Sequence, residues 1–124
     1  MKNSLFSWRR FKGSFVYAWA GLWQLLKKEQ NLWIILFIGL VVVLFAWYLG
    51  LTLTEKAILI LVIASVTGSE VLNTTVEFVF DKFRLRNNSG DVKIAKDIMA
   101  GFVLIWTIVS VIIGLLIFWP YLFG

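Results

Sequence analysis

Three apolar stretches long enough to cross a bilayer constrain the fold of this chain more than any other feature. They cover residues 32–50, 56–80 and 98–122, and each has about the length that a membrane-spanning helix requires. The chain has 124 residues, of which 60% are hydrophobic, and its mean hydropathy is +0.88. A soluble domain of this size does not need so much apolar surface. We therefore predict an all-α integral membrane protein with three transmembrane helices in a single domain, residues 1–124.

The segment before the first span, residues 1–31, is polar enough to stay out of the hydrocarbon core but is clearly patterned. Phe11, Phe15, Trp19 and Leu22 recur at helical spacing, and lysines and arginines occupy other positions. This pattern is typical of an amphipathic helix that lies in the membrane interface with its tryptophans at headgroup level. We expect an N-terminal interfacial helix over residues 1–31 and no signal peptide, because the apolar run begins too late.

Two connections of different character join the three spans. The first, residues 50–56, is short, and we expect Thr54 to be the N-cap of the helix that follows. The second, residues 81–97, is charged and has a turn signal at Asn87-Asn-Ser-Gly90. The N-terminal segment carries six Lys and Arg residues and the second connection five, against one in the short turn. Basic residues favour the cytoplasmic side, so we expect the N-terminus to be cytoplasmic and the C-terminus outside.

A polar stripe crosses the second half of the second span. At about 100° per residue, four side chains fall within an arc of roughly 80° on that helix. They are Glu70, Asn73, Glu77 and Asp81. Ionisable groups inside a membrane helix are energetically expensive and indicate function. We therefore expect the chemistry of this protein to lie along this stripe.

The stripe and its surroundings contain carboxylates, an amide and a lysine that could act together. Glu77, and Glu29 at the end of the interfacial helix, are carboxylates near headgroup depth that suit a hard cation such as magnesium. Lys96 and Asp97 are expected to begin the third helix near the same surface, where a lysine and free N–H groups could hold phosphates. Glu70 lies deeper and suits the removal of a proton from a lipid hydroxyl. Asn73, one turn along, could orient Glu70 or that hydroxyl.

Each of these assignments has a structural alternative. Glu70 and Asn73 could form hydrogen bonds between helices, as polar groups in membrane bundles commonly do. Glu29 could pair with Lys27 or Lys28 at a solvated helix end, and Lys96 with Asp97 could form an ordinary polar cap. The composition narrows the chemistry, since the chain has no cysteine and no histidine. Its net charge of +5 is better explained by anionic lipid headgroups than by nucleic acid.

The polar stretch carries a resemblance to a known family. Glu70-Val-Leu-Asn-Thr-Thr-Val-Glu-Phe-Val-Phe-Asp81, followed by Ala95-Lys-Asp97 and Ala100-Gly-Phe-Val-Leu104, resembles the small prokaryotic diacylglycerol kinases and undecaprenol kinases. Arg10, Tyr17 and Glu29-Gln-Asn31 also fall at matching spacing. No glycine-rich phosphate loop of other kinases occurs in the chain. The resemblance covers nearly the whole sequence.

This resemblance implies a homotrimer in the bacterial cytoplasmic membrane that uses magnesium and ATP at active sites shared between subunits. It implies that Glu70 is the catalytic base and that Asn73 belongs to the same catalytic site. It implies metal binding by Glu29 and Glu77. The residues that it assigns to the nucleotide site are Arg10, Tyr17, Asp81, Lys96 and Asp97.

The substrate and the activity remain open at this point. Undecaprenol is the expected lipid, because the sequences Glu29-Gln-Asn31 and Ala95-Lys-Asp97 are closer to those of family members with that activity. Diacylglycerol is the alternative. The sequence departs from those members at residues 32–35 and 84–89, and Thr75 stands where they have a smaller residue. Two alternatives of another class are a pore former of the phage holin kind and an inactive relative that serves as an assembly module.

Overall fold

The computed structural model describes residues 5–83 and 90–124, and the described part is helical without strands. Its helices are α1 (Trp8–Lys28), α2 (Gln30–Leu49), α3 (Leu53–Lys82) and α4 (Gly90–Phe123). The last three are long and apolar enough to cross a membrane. The predicted class, three transmembrane helices preceded by one further helix, is therefore confirmed. The chain divides into two compact units, residues 1–30 and residues 31–124.

The first unit consists mainly of α1. Ser7 is its N-cap, with its hydroxyl accepting the backbone N–H of Arg10 at 3.4 Å, which satisfies one of the free donors of the first turn. Aromatic rings follow each other near its start, with centroids 5.6 Å apart for Trp8 and Phe11 and 5.1 Å apart for Phe11 and Phe15. No residue of α1 is buried. The helix ends at Lys28, and its C-cap, Glu29, has an extended backbone.

A glycine-dependent turn joins α2 to α3. Gly50 has φ +76°, and the N–H of Leu51 binds the carbonyl of Ala46 at 3.1 Å, which is the pattern of a Schellman cap. Thr52 then caps α3: its hydroxyl accepts from the N–H of Glu55, and the Glu55 carboxylate accepts from the N–H of Thr52. The prediction that Thr54 is the N-cap is wrong. Only Thr52 has an acidic residue three positions later, and this spacing allows the reciprocal pair of bonds.

The second unit is the bundle of α2, α3 and α4. Its best buried cluster joins all three elements around Ala46, Leu51 and Leu59, with Ile117 and Phe118 of α4 packed against them. Helix α3 also packs along α4. Helix α2 approaches α3 at Gly39, where a Cβ atom would lie 2.8 Å from Cγ2 of Ile63. A glycine at this point lets the two helices come together.

Polar contacts join α3 and α4 near both of their ends. The hydroxyl of Tyr121 donates to Glu55 at 2.5 Å at one end, and Lys96 lies 3.2 Å from Asp81 at the other. We call these the turn end and the site end of the bundle. The helices are longer than the predicted spans, because Asp81 still belongs to α3 and α4 already begins at Gly90. Much of the predicted 81–97 connection is therefore helical; Asn87, Asn88 and Ser89 lie outside the described residues.

Candidate active site

The predicted polar stripe lies on a single continuous helix, α3, which covers all four of its residues. Exposure increases along the stripe towards the site end. Glu70 is buried, with 6% of its surface accessible, Asn73 and Glu77 are half-buried, and Asp81 is exposed. A carboxylate removed from water at one end of the stripe is thus followed by increasingly accessible polar groups. Such a gradient suits a site at which a buried group meets a soluble reactant.

The Glu70 carboxylate is held in place by its own helix. The hydroxyl of Thr74 donates to its Oε2 atom at 3.3 Å. The neighbouring Ser69 is also buried, and its hydroxyl donates to the carbonyl of Val66 at 2.7 Å rather than to Glu70. Thr74 was missed by sequence reasoning. The available signal was its spacing, since a side chain four residues after Glu70 lies on the same helix face.

Helix α4 contributes Lys96 to the stripe. Its amine is 3.2 Å from Oδ1 of Asp81, and the Lys96 side chain is 20% exposed whereas that of Asp81 is 64% exposed. The structure thus brings together two residues that were predicted to contact a nucleotide. A lysine beside the accessible end of an acidic stripe offers a point charge for phosphate groups.

Asp97 has a different environment from its neighbour. Its Oδ2 atom is 2.8 Å from the amine of Lys93, four residues earlier on the same helix, and both side chains are largely exposed. The expectation that Lys96 and Asp97 begin the third helix is wrong, because α4 begins at Gly90. The free N–H groups of the first turn therefore precede Lys96 by about one to two turns.

The remaining predicted residues belong to the first unit. Arg10 lies in the first turn of α1 with an exposed side chain, and Tyr17 is 79% exposed on the same helix. Glu29 is the C-cap of α1 and is half-buried, with its backbone N–H bound to the carbonyl of Leu25 at 2.9 Å. Their assignments to nucleotide and metal stay predictions.

The carboxylate of Glu77 fits magnesium by the chemistry of its oxygen atoms. Glu77 and Asp81 are four residues apart on one face of α3, near its accessible end. Magnesium is usually bound by one or two carboxylates together with waters and substrate phosphates. No group of three or more acidic, histidine or cysteine side chains forms a metal cluster among residues 5–83 and 90–124.

Comparison with known proteins identifies the family of the chain. Residues 16–118 match the family described as prokaryotic diacylglycerol kinase. The chain is 34% identical over 111 residues to the undecaprenol kinase of Bacillus subtilis, covering 90% of this chain and 89% of that protein. It is 39% identical over 101 residues to the diacylglycerol kinase of Synechocystis, covering 82% of this chain and 58% of that protein. No solved structure matches the chain significantly.

The three-helix bundle and the polar face of α3 define a helical membrane protein. At the site end of the bundle, carboxylates of α3 lie beside a lysine of α4. The chain belongs to the prokaryotic diacylglycerol kinase family, whose match extends over most of its length. It is therefore a membrane enzyme that transfers a phosphoryl group, as the sequence resemblance implied.

Proposed function

We propose that this protein transfers the γ-phosphoryl group of magnesium-bound ATP to the hydroxyl of a membrane lipid alcohol, with undecaprenol as the preferred acceptor. The observation that carries the proposal is the buried carboxylate of Glu70 on the same α3 face as Glu77 and Asp81. Undecaprenol is favoured over diacylglycerol because the relative that this chain matches over almost its full length bears that name.

In this proposal Glu70 accepts the proton of the lipid hydroxyl as its oxygen bonds to the γ-phosphorus and ADP leaves. A positioned general base contributes about 10²- to 10⁴-fold to the rate. The hydrogen bond from Thr74 restrains the carboxylate, which reduces the reorganisation needed when the alcohol arrives. Asn73 is one turn closer to the site end and is assigned to orienting the hydroxyl.

The phosphate groups are assigned to the accessible end of the stripe. Lys96 would hold them as a fixed positive charge, with Arg10, Tyr17, Asp81 and Asp97 as further nucleotide contacts. Glu77 and Glu29 are assigned to magnesium, which supplies charge neutralisation when bound with the nucleotide. Phosphoryl transfer is catalysed mainly by positioning and electrostatic stabilisation, and these residue types supply both. The site end is assigned to the cytoplasmic side, where ATP is available, and the N-terminus is assigned to the same side of the membrane by its basic residues.

A direct assay tests the chemistry. Purified protein is supplied with labelled ATP, magnesium and either undecaprenol or diacylglycerol, and Glu70→Gln is compared with Glu55→Gln. Both changes remove one carboxylate from α3, but Glu55 lies fifteen residues away, about 22 Å along the helix. We expect transfer to fall at least about 10²-fold in Glu70→Gln only. Equal rates in the two variants would refute the role of Glu70, and no transfer by folded wild-type protein would favour an inactive relative.

A homotrimer with sites shared between subunits is part of the proposal. Glu29→Gln and Glu70→Gln are each expected to be inactive as pure assemblies. If one active site takes these two residues from different subunits, mixed assemblies of the two variants regain intact sites, roughly a quarter of the total under random mixing. Sites built within one subunit would give no recovery. Cross-linking of the wild-type protein would independently count the subunits.

A further inference from the structure

The face of α3 that carries Glu70 continues into an apolar cavity. Leu59, Ile63 and Val66 line this cavity, and Glu70 follows Val66 by four residues at the same helical spacing. The volume of the cavity is about 590 Å³, which lies in the range typical of sites for small ligands. One helix face therefore presents polar groups towards the site end and lines a cavity towards the turn end.

The other walls are supplied by α2 and α4. Helix α2 contributes Ile35, Gly39 and Phe45 among others, and α4 contributes Gly114 and Phe118 among others. The rings of Phe45 and Phe118 stack with centroids 5.6 Å apart towards the turn end. None of the lining residues carries a charge.

Polar atoms in the cavity are few, and their hydrogen bonds are local. Thr107 and Ser110 provide the side-chain hydroxyls of the lining. The Thr107 hydroxyl donates to the carbonyl of Val103 at 2.8 Å, and that of Ser110 donates to the carbonyl of Trp106 at 2.6 Å. Hydroxyls bonded in this way leave the cavity walls chemically suited to hydrocarbon.

The register of α3 against α4 places one end of the cavity level with Glu70. Asp81 contacts Lys96, and Glu55 contacts Tyr121. The number of residues between these two contacts differs by only one between α3 and α4, so the two antiparallel helices keep the same register along this length. Glu70 is eleven residues back from Asp81, and Thr107 is eleven residues on from Lys96. At a common rise of about 1.5 Å per residue, these two residues lie at the same level. Thr107 lines the cavity, which thus begins where the proposed base is located.

We propose that this cavity binds the hydrocarbon chain of the lipid alcohol, with the chain running from Glu70 towards the turn end. The inference rests on the proposed function. Along α4 the lining extends from Thr107 to Leu122, which is about 22 Å of helix. The first part of an unbranched or prenyl chain fits this elongated, uncharged space with its hydroxyl beside the carboxylate, and the rest of a chain as long as that of undecaprenol extends beyond it.

The cavity orients the substrate rather than attracting it. A tail that moves from lipid into the cavity exchanges one apolar medium for another, so little hydrophobic free energy is gained. What the cavity supplies is alignment of the hydroxyl with Glu70, and small misplacements of a reacting group reduce rates strongly. Gly114 leaves open the space halfway along the cavity, because a Cβ atom there would meet nothing within 4 Å.

The test obstructs the cavity at that point. Gly114→Leu places an isobutyl group about 10 Å beyond the level of Thr107. Gly101→Leu is the matched control, because a Cβ atom at Gly101 also meets nothing within 4 Å and this residue does not line the cavity. At about 100° per residue the two positions point to nearly opposite sides of α4. The rates of phosphorylation of geraniol and of undecaprenol are measured for wild type and both variants in lipid nanodiscs.

We expect Gly114→Leu to lower the rate on undecaprenol relative to geraniol by about tenfold, because only the longer chain passes the obstruction. Gly101→Leu should leave this ratio unchanged. An equal loss on both alcohols in Gly114→Leu would overturn the proposal. If this equal loss of rate in Gly114→Leu came with an altered mass of the native assembly, the result would show that a second copy of the chain fills the cavity.

A second measurement separates this proposal from the kinase chemistry. A long-chain alcohol with a diazirine midway along its chain is photolysed with wild type, Gly114→Leu and Glu70→Gln, and labelled peptides are identified by mass spectrometry. We expect labelling around Gly114 in wild type and in Glu70→Gln, and its loss in Gly114→Leu. Labelling spread evenly over exposed apolar residues that do not line the cavity, such as Leu104 and Ile105, would refute the cavity as the binding site, whether or not the protein is active.

Discussion

The hydroxyl of Tyr121 donates a hydrogen bond of 2.5 Å to Oε1 of Glu55, which joins residues 66 positions apart in the sequence. The same oxygen accepts the backbone N–H of Thr52 at 2.9 Å. One carboxylate oxygen therefore completes the cap of α3 and holds the end of α4 against it. Close by, the amine of Lys56 lies 3.5 Å from the ring centroid of Trp47 on α2, so all three helices are joined at the turn end.

Removing the Tyr121 hydroxyl should weaken this end of the bundle. Tyr121→Phe keeps the ring but leaves the Glu55 oxygen with one donor fewer, so we expect a lower midpoint of unfolding in a detergent titration. Tyr48→Phe is the matched control, since that ring stacks on Phe45 and is 82% exposed. Equal midpoints for the two variants would show that the hydrogen bond contributes nothing to stability.

The cap of α3 offers a comparison between two threonines. Thr52→Ala removes the hydroxyl that accepts the N–H of Glu55, and N-cap losses of this kind cost about 0.5–2 kcal/mol of stability. Thr54→Ala changes an exposed position inside the helix and should be neutral or slightly stabilising, because alanine is the better helix former. The free energy of unfolding of both variants checks this. A larger loss of stability in Thr54→Ala than in Thr52→Ala would indicate that Thr54 is the N-cap.

The contact between α2 and α3 makes Gly39 intolerant of a side chain. A Cβ atom there lies 2.8 Å from Cγ2 of Ile63, which is attached to a β-branched carbon with little rotameric freedom in a helix. We expect Gly39→Ala to destabilise the bundle by about 1–3 kcal/mol through overpacking. Adding Ile63→Ala should recover part of this loss by removing the clashing methyl group. If the stability losses of the two single variants simply add in the double variant, the proposed clash is absent.

Two lysines of α4 should differ in their effect on catalysis. Lys96 lies beside Asp81 on α3, whereas Lys93 pairs with Asp97 within its own helix and is largely exposed. We expect Lys96→Met to raise the KM for ATP by at least about tenfold, as loss of a charge-assisted contact of more than 1.4 kcal/mol would. Lys93→Met should change it less than about twofold. Steady-state kinetics on the same lipid acceptor would decide, and similar KM values would remove Lys96 from the nucleotide site.

Local sequence signals were sufficient for much of this protein. The length of the apolar runs predicted three membrane helices, and the spacing of polar residues by three or four positions predicted the polar face of α3. Helix boundaries were less well predicted, because charged residues from Gly90 to Asp97 resemble a connection although they continue a helix. The N-cap was misplaced by two residues, because both threonines suit a cap and only the distance to Glu55 distinguishes them.

The sequence alone thus determined the membrane class, the number of spans and the residues that form the polar stripe. These properties depend on run length and helical periodicity, which neighbouring residues specify without reference to the rest of the chain. Only the tertiary structure decided that Lys96 meets Asp81, that Tyr121 meets Glu55 and that an apolar cavity begins level with Glu70. Those relationships depend on the register of α3 against α4, which arises from side-chain packing between segments that are distant in sequence.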